Sequence, residues 1–408
     1  MRCLQSLWIF CGLFASLSLV ASDWPQFRGA NGDAVSPEKG INKDWNAKPP
    51  KELWRTAMHD NGYSDVAIAA GKVFLLDPDG TNDNVRALDV KTGQELWSFK
   101  YPSVYTSMTG GGDPEWGLGR STPTYDSGRL YTLSALGILN CLNAETGTKF
   151  WTRDILTEFK GKPGEWHYVA QPIVDGKKLI VCPGGANAGV VAIDKENGTD
   201  IWRGGGSDKA GYALPIIATL DGKKQYVVLT GFSLIGVDPD NGNVLWTLPW
   251  KTPYDVNASA PVIVSPDTIF VCSGEKHGCA LVQIAKGAAT IVWENKEMQS
   301  QFNGPVMSDG YVYGIGDPGQ LTCLDLKDGK VAWKQPGFEK GGVMAIDGTL
   351  IAIEGATGNV VMISLDHSAY KELGRIKPLD GRHWTPPVVA DGRLYVRNKE
   401  TLLCLDIK

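Results

Sequence analysis

The residues best suited to chemistry on a ligand gather in two long segments of this 408-residue chain, 98–121 and 152–170. Arg120 lies at the end of the first; Trp166, His167 and Tyr168 lie near the end of the second, with Gln171 just beyond. A guanidinium, two aromatic rings, an imidazole and an amide can stack on a sugar or quinone ring and hydrogen-bond its oxygens. Side chains of these types also fasten long loops to a scaffold, so both readings stay open. Farther along, Tyr212, Asn257, Asn303, His383 and Trp384 stand at corresponding places, and Arg382-His383-Trp384 offers a second polar and aromatic wall. No His has a triad or dyad partner that spacing alone identifies, so no catalytic residue is assigned.

Other candidate chemistry is weaker. The acid-rich run Asp77-Pro78-Asp79-Gly80-Thr81-Asn82-Asp83-Asn84 has oxygen ligands for calcium. It misplaces the Gly and lacks the closing Glu of an EF-hand loop, and reads better as a solvated turn. The Gly-rich stretches Gly110 to Gly112, Gly184-Gly185 and Gly204 to Gly206 have neither a phosphate-loop Lys nor a following helix, so they read as turns. Cys141, Cys323 and Cys404 take the same position in three repeats and read as small buried hydrophobes. Cys272 and Cys279 flank a hairpin turn, where facing strands could bring them within disulfide reach. No spacing fits a zinc site or a haem attachment, so the expected metal set is empty.

The elements that must position these residues are written in a repeated phrase. ALDVKTGQELW at 87–97 recurs as CLNAETGTKFW at 141–151, AIDKENGTDIW at 192–202, GVDPDNGNVLW at 236–246 and CLDLKDGKVAW at 323–333. An Asp or Asn (Asp89, Asn143, Asp194, Asp238, Asp325) can cap backbone N–H groups, and a Gly four residues on (Gly93, Gly147, Gly198, Gly242, Gly329) supplies a positive φ. Flanking apolar alternation makes each phrase a β-hairpin ending in Trp. Two weaker copies follow: LVQIAKGAATIVW at 281–293, with two extra residues in its turn, and 362–376, with Gly374 near the Trp position.

Trp54, Trp97, Trp151, Trp202, Trp246, Trp293 and Trp333 are 43, 54, 51, 44, 47 and 40 residues apart, the period of four-stranded propeller blades. The last repeat stops at LLCLDIK without its Trp strand, and KELWRT at 51–56 is a Trp strand with nothing before it. One completes the other. The expectation is an all-β, eight-bladed β-propeller of four-stranded antiparallel blades over 51–408, closed by pairing the N-terminal strand with the C-terminal blade. In such a ring the loops entering the inner strands converge on one face, where a ligand would bind.

Residues 1–22 read as a signal peptide: Arg2, an apolar run from Leu4 to Val20, and a Val20-Ala21-Ser22 cleavage site. Cleavage would leave a protein that does not span a membrane; the alternative reading of the segment is a retained membrane anchor. Residues 23–50 form an N-terminal extension whose Trp24, Phe27 and Arg28 either plug the channel or, as the simpler reading, pack on the rim. The net charge of −5, with no run of basic residues interleaved with aromatics, argues against nucleic acid.

The AxDxxTGxxxW phrase resembles the tryptophan-docking motif of the PQQ-like (quinoprotein alcohol dehydrogenase-like) repeat family. The opening DWPQFRGANGDAVSP at 23–37 resembles BamB-like exported members of the planctomycete type. The resemblance implies that Trp54, Trp97, Trp151, Trp202, Trp246, Trp293 and Trp333 dock between blades. It covers enzymes that use PQQ with calcium as well as non-enzymatic assembly factors. The enzymes typically carry adjacent cysteines and a Glu, Asn and Asp set around calcium. No Cys-Cys dipeptide exists here, and Arg120, His167, Asn257, Asn303 and His383 fall where those carboxylates are expected. The resulting expectation is a periplasmic or secreted monomer without cofactor, a scaffold for an envelope protein or a binder of a small ligand such as a carbohydrate. The competing readings are a PQQ- and calcium-dependent oxidoreductase and a carbohydrate-active propeller.

Overall fold

The computed structural model describes residues 23–59, 62–79, 81–103 and 121–408. The predicted signal peptide, the Gly110 to Gly112 stretch and Arg120 lie outside them. The chain forms eight four-stranded antiparallel blades, the first built from Ala67–Ala69, Lys72–Leu76, Asn82–Asp89 and Glu95–Pro102 in spatial order. The ring closes as expected: Lys51–Ala57 pairs antiparallel with Thr401–Asp406, Glu52 opposite Leu405, Trp54 opposite Cys404 and Arg55 opposite Leu403. The eighth sheet therefore takes three strands from the C-terminus and one from the N-terminus.

Each repeated phrase has a local cause. The Asp89 carboxylate accepts the N–H groups of Lys91 and Thr92 at 2.9 and 2.8 Å, and Gly93, at φ 71°, donates back to the Asp89 carbonyl. That Gly also makes room for the preceding blade. A Cβ on Gly93 would lie 2.5 Å from the Trp54 ring, and one on Gly147 would lie 2.6 Å from the Trp97 ring. The indole Nε1 then donates across the seam: Trp54 to the Val90 carbonyl, Trp97 to Ala144, Trp151 to Lys195, Trp202 to Pro239, Trp293 to Leu326 and Trp333 to Asp366. Trp54, Trp202, Trp246 and Trp333 are buried, whereas Trp97, Trp151 and Trp293 are half-buried.

All eight blades carry a β-bulge where the third strand meets the fourth, always at the residue before the Trp position. The bulge gives the outer strand an extra unpaired residue and an added twist. Leu53, Leu96, Phe150, Ile201 and Val292, the residues that precede the Trp, are exposed as a result.

One of the two weaker copies differs from its sequence reading. The 281–293 hairpin has no widened turn: Gly278–Ala285 and Ala288–Asn295 run on to a two-residue connection, Lys286 at φ 53° and Gly287 at φ 72°. With no acid turn to receive it, Trp246 donates instead to Gln225 Oε1 of its own blade at 2.6 Å. Gly374 sits opposite Met362 at the register the other blades give to Trp, and Trp45 of the N-terminal extension packs against it. A Cβ there would lie 2.6 Å from that of Trp45, which is only 2% exposed.

The extension threads the ring and does not merely rest on its rim. Trp24 bridges Ile68 on the inner strand of the first blade, and the Pro25 carbonyl accepts from Tyr125 N–H on that of the second. Gly32 abuts Leu214 and Ile216 of the fourth, and Val35–Ser36 adds a parallel strand to Val343–Ile346, the inner strand of the seventh. Arg28 is the pin. Its guanidinium donates to the carbonyls of Gly32, Asp33, Gly304 and Pro305 at 3.0, 3.2, 2.6 and 2.7 Å. Burial pulls its pKa down to about 10, still well above neutrality.

Candidate functional site

With the channel plugged from within, the converging loops enclose a cavity of about 470 Å³ at its mouth. Every loop that enters an inner strand contributes to the lining: Tyr63 and Asp65, Thr122, Trp166, Tyr212, Val256, Asn303, Lys340 and Trp384 in ring order. Phe27 of the plug is also part of the lining. The walls are aromatic. Trp166 and Tyr212 meet edge to face at 6.2 Å, and Trp384 stands 5.0 Å from Tyr63 and 5.6 Å from Phe302. Gly164 has no side chain because the Tyr212 hydroxyl occupies the space beside it, 1.8 Å from where a Cβ would be. That hydroxyl also accepts from Trp166 N–H at 3.3 Å.

Asp65 is the residue that spacing did not reveal. It is 3% exposed, its Oδ1 accepts from Val66 N–H at 2.8 Å, and its Oδ2 is buried with no hydrogen-bond partner. Desolvation raises its pKa to about 8, with the Val66 bond and the nearby Arg397 charge working the other way. At neutral pH most molecules therefore hold this carboxyl protonated. Asp65 lines both the main cavity and a void of about 10 Å³ beneath it, shared with Arg28 and Asn303. A lone Asp in the segment YSDVA has no sequence signature. Only the enclosure of its loop by Arg397, which donates to Ser64 and Gly62 carbonyls at 2.9 and 3.0 Å, sets its character.

Of the ten residues proposed for this face, Trp166, Tyr212, Asn303 and Trp384 line the cavity. Arg120 lies outside the described residues. Tyr168 instead belongs to the core, its hydroxyl donating to the Pro183 carbonyl at 2.9 Å. Asn257 is wholly buried: its amide donates to Thr230 and Trp250 carbonyls, and its oxygen accepts from Thr252 and Ser273. His383 is also wholly buried, packed against Gly358, and desolvation lowers its pKa so that it stays neutral. Gln171 is buried and His167 partly buried at φ 58°, and neither belongs to the cavity lining. Their spacing matched the loops, but direction within a loop is a tertiary outcome.

Asp77, read from sequence as part of a solvated turn, is fully buried against Arg86 and His59, whereas Asp79 caps Thr81 and Asn82 N–H groups in the open. Among the described residues no group of three His, Cys, Asp or Glu side chains is placed to hold a metal. Cys272 and Cys279 face each other in register, yet both are free thiols. Cys272 Sγ accepts from Ser300 N–H at 3.0 Å, and Cys279 donates to Asn295 Oδ1 at 3.2 Å.

Fold and repeat together define a PQQ-like β-propeller with an axial, internally plugged pocket. The family model described as outer membrane protein assembly factor BamB matches residues 43–121 and 81–335, and the chain belongs to that family. The outer membrane protein assembly factor BamB of Yersinia pestis is 23% identical over 320 residues, 75% of this chain and 78% of the relative. The BamB structure from Moraxella catarrhalis superposes with a TM-score of 0.64 at 16% identity, covering 88% of this chain and 99% of that one. The quinohemoprotein alcohol dehydrogenase of Comamonas testosteroni gives 0.66 at 14% identity, covering 95% and 80%. Among the described residues no helix is long and apolar enough to cross a membrane.

Proposed function

We propose that this chain is a non-catalytic, BamB-like binding or scaffold protein of the cell envelope, exported to the periplasm or beyond, that engages its ligand or partner on the funnel face. The observation that carries this reading is the axial cavity: all eight loops converge on it, and its described lining presents aromatic walls without a paired nucleophile and base. Membership of a family described as outer membrane assembly factors supports the envelope setting and a protein partner.

PQQ and calcium, which the family resemblance implies for its enzymatic members, do not suit the described residues. A polyanionic quinone needs cationic contacts, whereas the described lining carries Glu165 and Glu275 against Lys340. Calcium needs a cage of oxygens, and no acid cluster supplies one among the described residues. Incubating the purified protein with PQQ and calcium and then desalting it should leave no quinone absorption and no dye reduction with alcohols or aldoses. Stoichiometric retention of the quinone would make the oxidoreductase reading the better one. Capture of a defined envelope protein, lost on substituting funnel residues, supports the scaffold role. Glycan capture dependent on Trp166 would support the carbohydrate reading, for which the Trp166, Tyr212 and Trp384 rings provide stacking faces.

A further inference from the structure

We propose that the funnel cavity binds a small organic cation, a primary ammonium or guanidinium head on an apolar body, held between the aromatic walls and the Asp65 carboxyl. This deepens the binding role proposed above and rests on it. The cavity, at about 470 Å³, falls in the range that encloses a whole small molecule. Its rings present electron-rich faces of the kind that attract cations. The fold already uses that attraction at one of them: the Lys340 ammonium lies 5.4 Å and the Arg382 guanidinium 4.4 Å from the Trp384 ring.

The polar groups decide which ligand fits. The Asn303 amide spends its N–H groups on the Lys340 and Trp384 carbonyls, and Gln301 donates to Glu275. Two buried oxygens are left without hydrogen-bond partners, Gln301 Oε1 and Asp65 Oδ2, the latter an acceptor once the carboxyl gives up its proton. A buried acceptor without a donor is costly, and a ligand bringing N–H groups relieves that cost. Even with Asp65 protonated, Glu165 and Glu275 outnumber Lys340 in the described lining, so a charged donor is favoured over a neutral one. A neutral sugar would find the amide donors already engaged.

Binding is coupled to a proton. The empty site holds Asp65 protonated below about pH 8, and a bound cation favours the carboxylate. Affinity should therefore rise as pH approaches 8 and level off above it, with proton release at neutral pH.

The test is calorimetric titration of the purified full chain with 2-phenylethylamine and, as a neutral isostere, 2-phenylethanol. The amine is expected to bind at least tenfold more tightly, with heats that vary with the buffer's ionisation enthalpy because a proton is released. Asp65→Asn should abolish that buffer dependence and weaken amine binding at least tenfold while leaving a cooperative melt. Trp166→Ala should weaken binding without altering the proton release. Equal binding of amine and alcohol by the unaltered protein, binding of neither, or tighter binding of glucose overturns the proposal without any variant. Amine binding that survives Asp65→Asn unchanged overturns the role of Asp65. Failure here with capture of an envelope protein intact removes the cation and leaves the scaffold standing; quinone retention with dye reduction removes the non-catalytic reading itself.

Discussion

At the residue scale, two side chains show how placement changes what a residue does. Asp65 has its carboxyl raised from the ordinary 3.8 to about 8, chiefly by burial, so the native state binds a proton that the unfolded chain has released. The sign follows directly. Between about pH 4 and pH 8 the native state holds more protons, so this group erodes stability as pH rises, by up to about 1.4 kcal/mol per unit. Asp65→Asn should flatten that slope, and chemical denaturation of both proteins from pH 5 to pH 9 reads the difference. An unchanged slope would mean that Asp65 ionises freely in the native state. Trp202 is the second case: it is buried on Gly242 and bonded to the Pro239 carbonyl at 2.9 Å. Trp202→Ala should cost about 3 to 5 kcal/mol, as for other large core aromatics, and a melting temperature equal to that of the parent would remove the structural role assigned to it.

At the element scale, the N-terminal extension is a structural member of the ring. Arg28 spans carbonyls on its own turn and on the loop before the sixth blade, a fork geometry that a single ammonium does not reproduce. Arg28→Ala should destabilise the protein by about 2 to 4 kcal/mol because buried carbonyls lose their donors, and Arg28→Lys should restore little of it. Equal unfolding midpoints for parent and Arg28→Ala would mean that the plug contributes nothing. Trp45 makes the same point from the other end of the segment. It packs where the seventh blade has Gly374 in place of Trp, so the irregular repeat is completed by residues more than 300 positions away.

At the scale of the whole molecule, closure joins the two ends of the chain in one sheet. Removing 401–408 takes away the strand that Lys51–Ala57 pairs with and leaves the eighth blade without its centre. The truncated chain should lose the single cooperative thermal transition expected of the closed ring, as followed by circular dichroism. If it melted like the full chain, the terminal pairing would be dispensable. The same closure fixes the cavity, because its lining comes from all eight loops and no blade alone has more than a fragment of it.

The sequence by itself determined the blade count, the turn chemistry and the pairing of Trp54 with the last strand, because these depend on local spacing: an acid, a Gly and a Trp at fixed intervals, and a strand missing at one end. It also pointed to the funnel face through Trp166, Tyr212, Asn303 and Trp384. The direction of each loop side chain was beyond its reach, since neighbours on other blades decide it, and so Tyr168, Asn257 and His383 turned into the core. The course of the extension was left open between plug and rim. Trp24, Phe27 and Arg28 become a plug only when inner strands far apart in sequence converge on one axis. Asp65 became an acid with a raised pKa for the same reason: burial and an unpartnered oxygen are properties of the assembled ring, and no spacing in the chain records them.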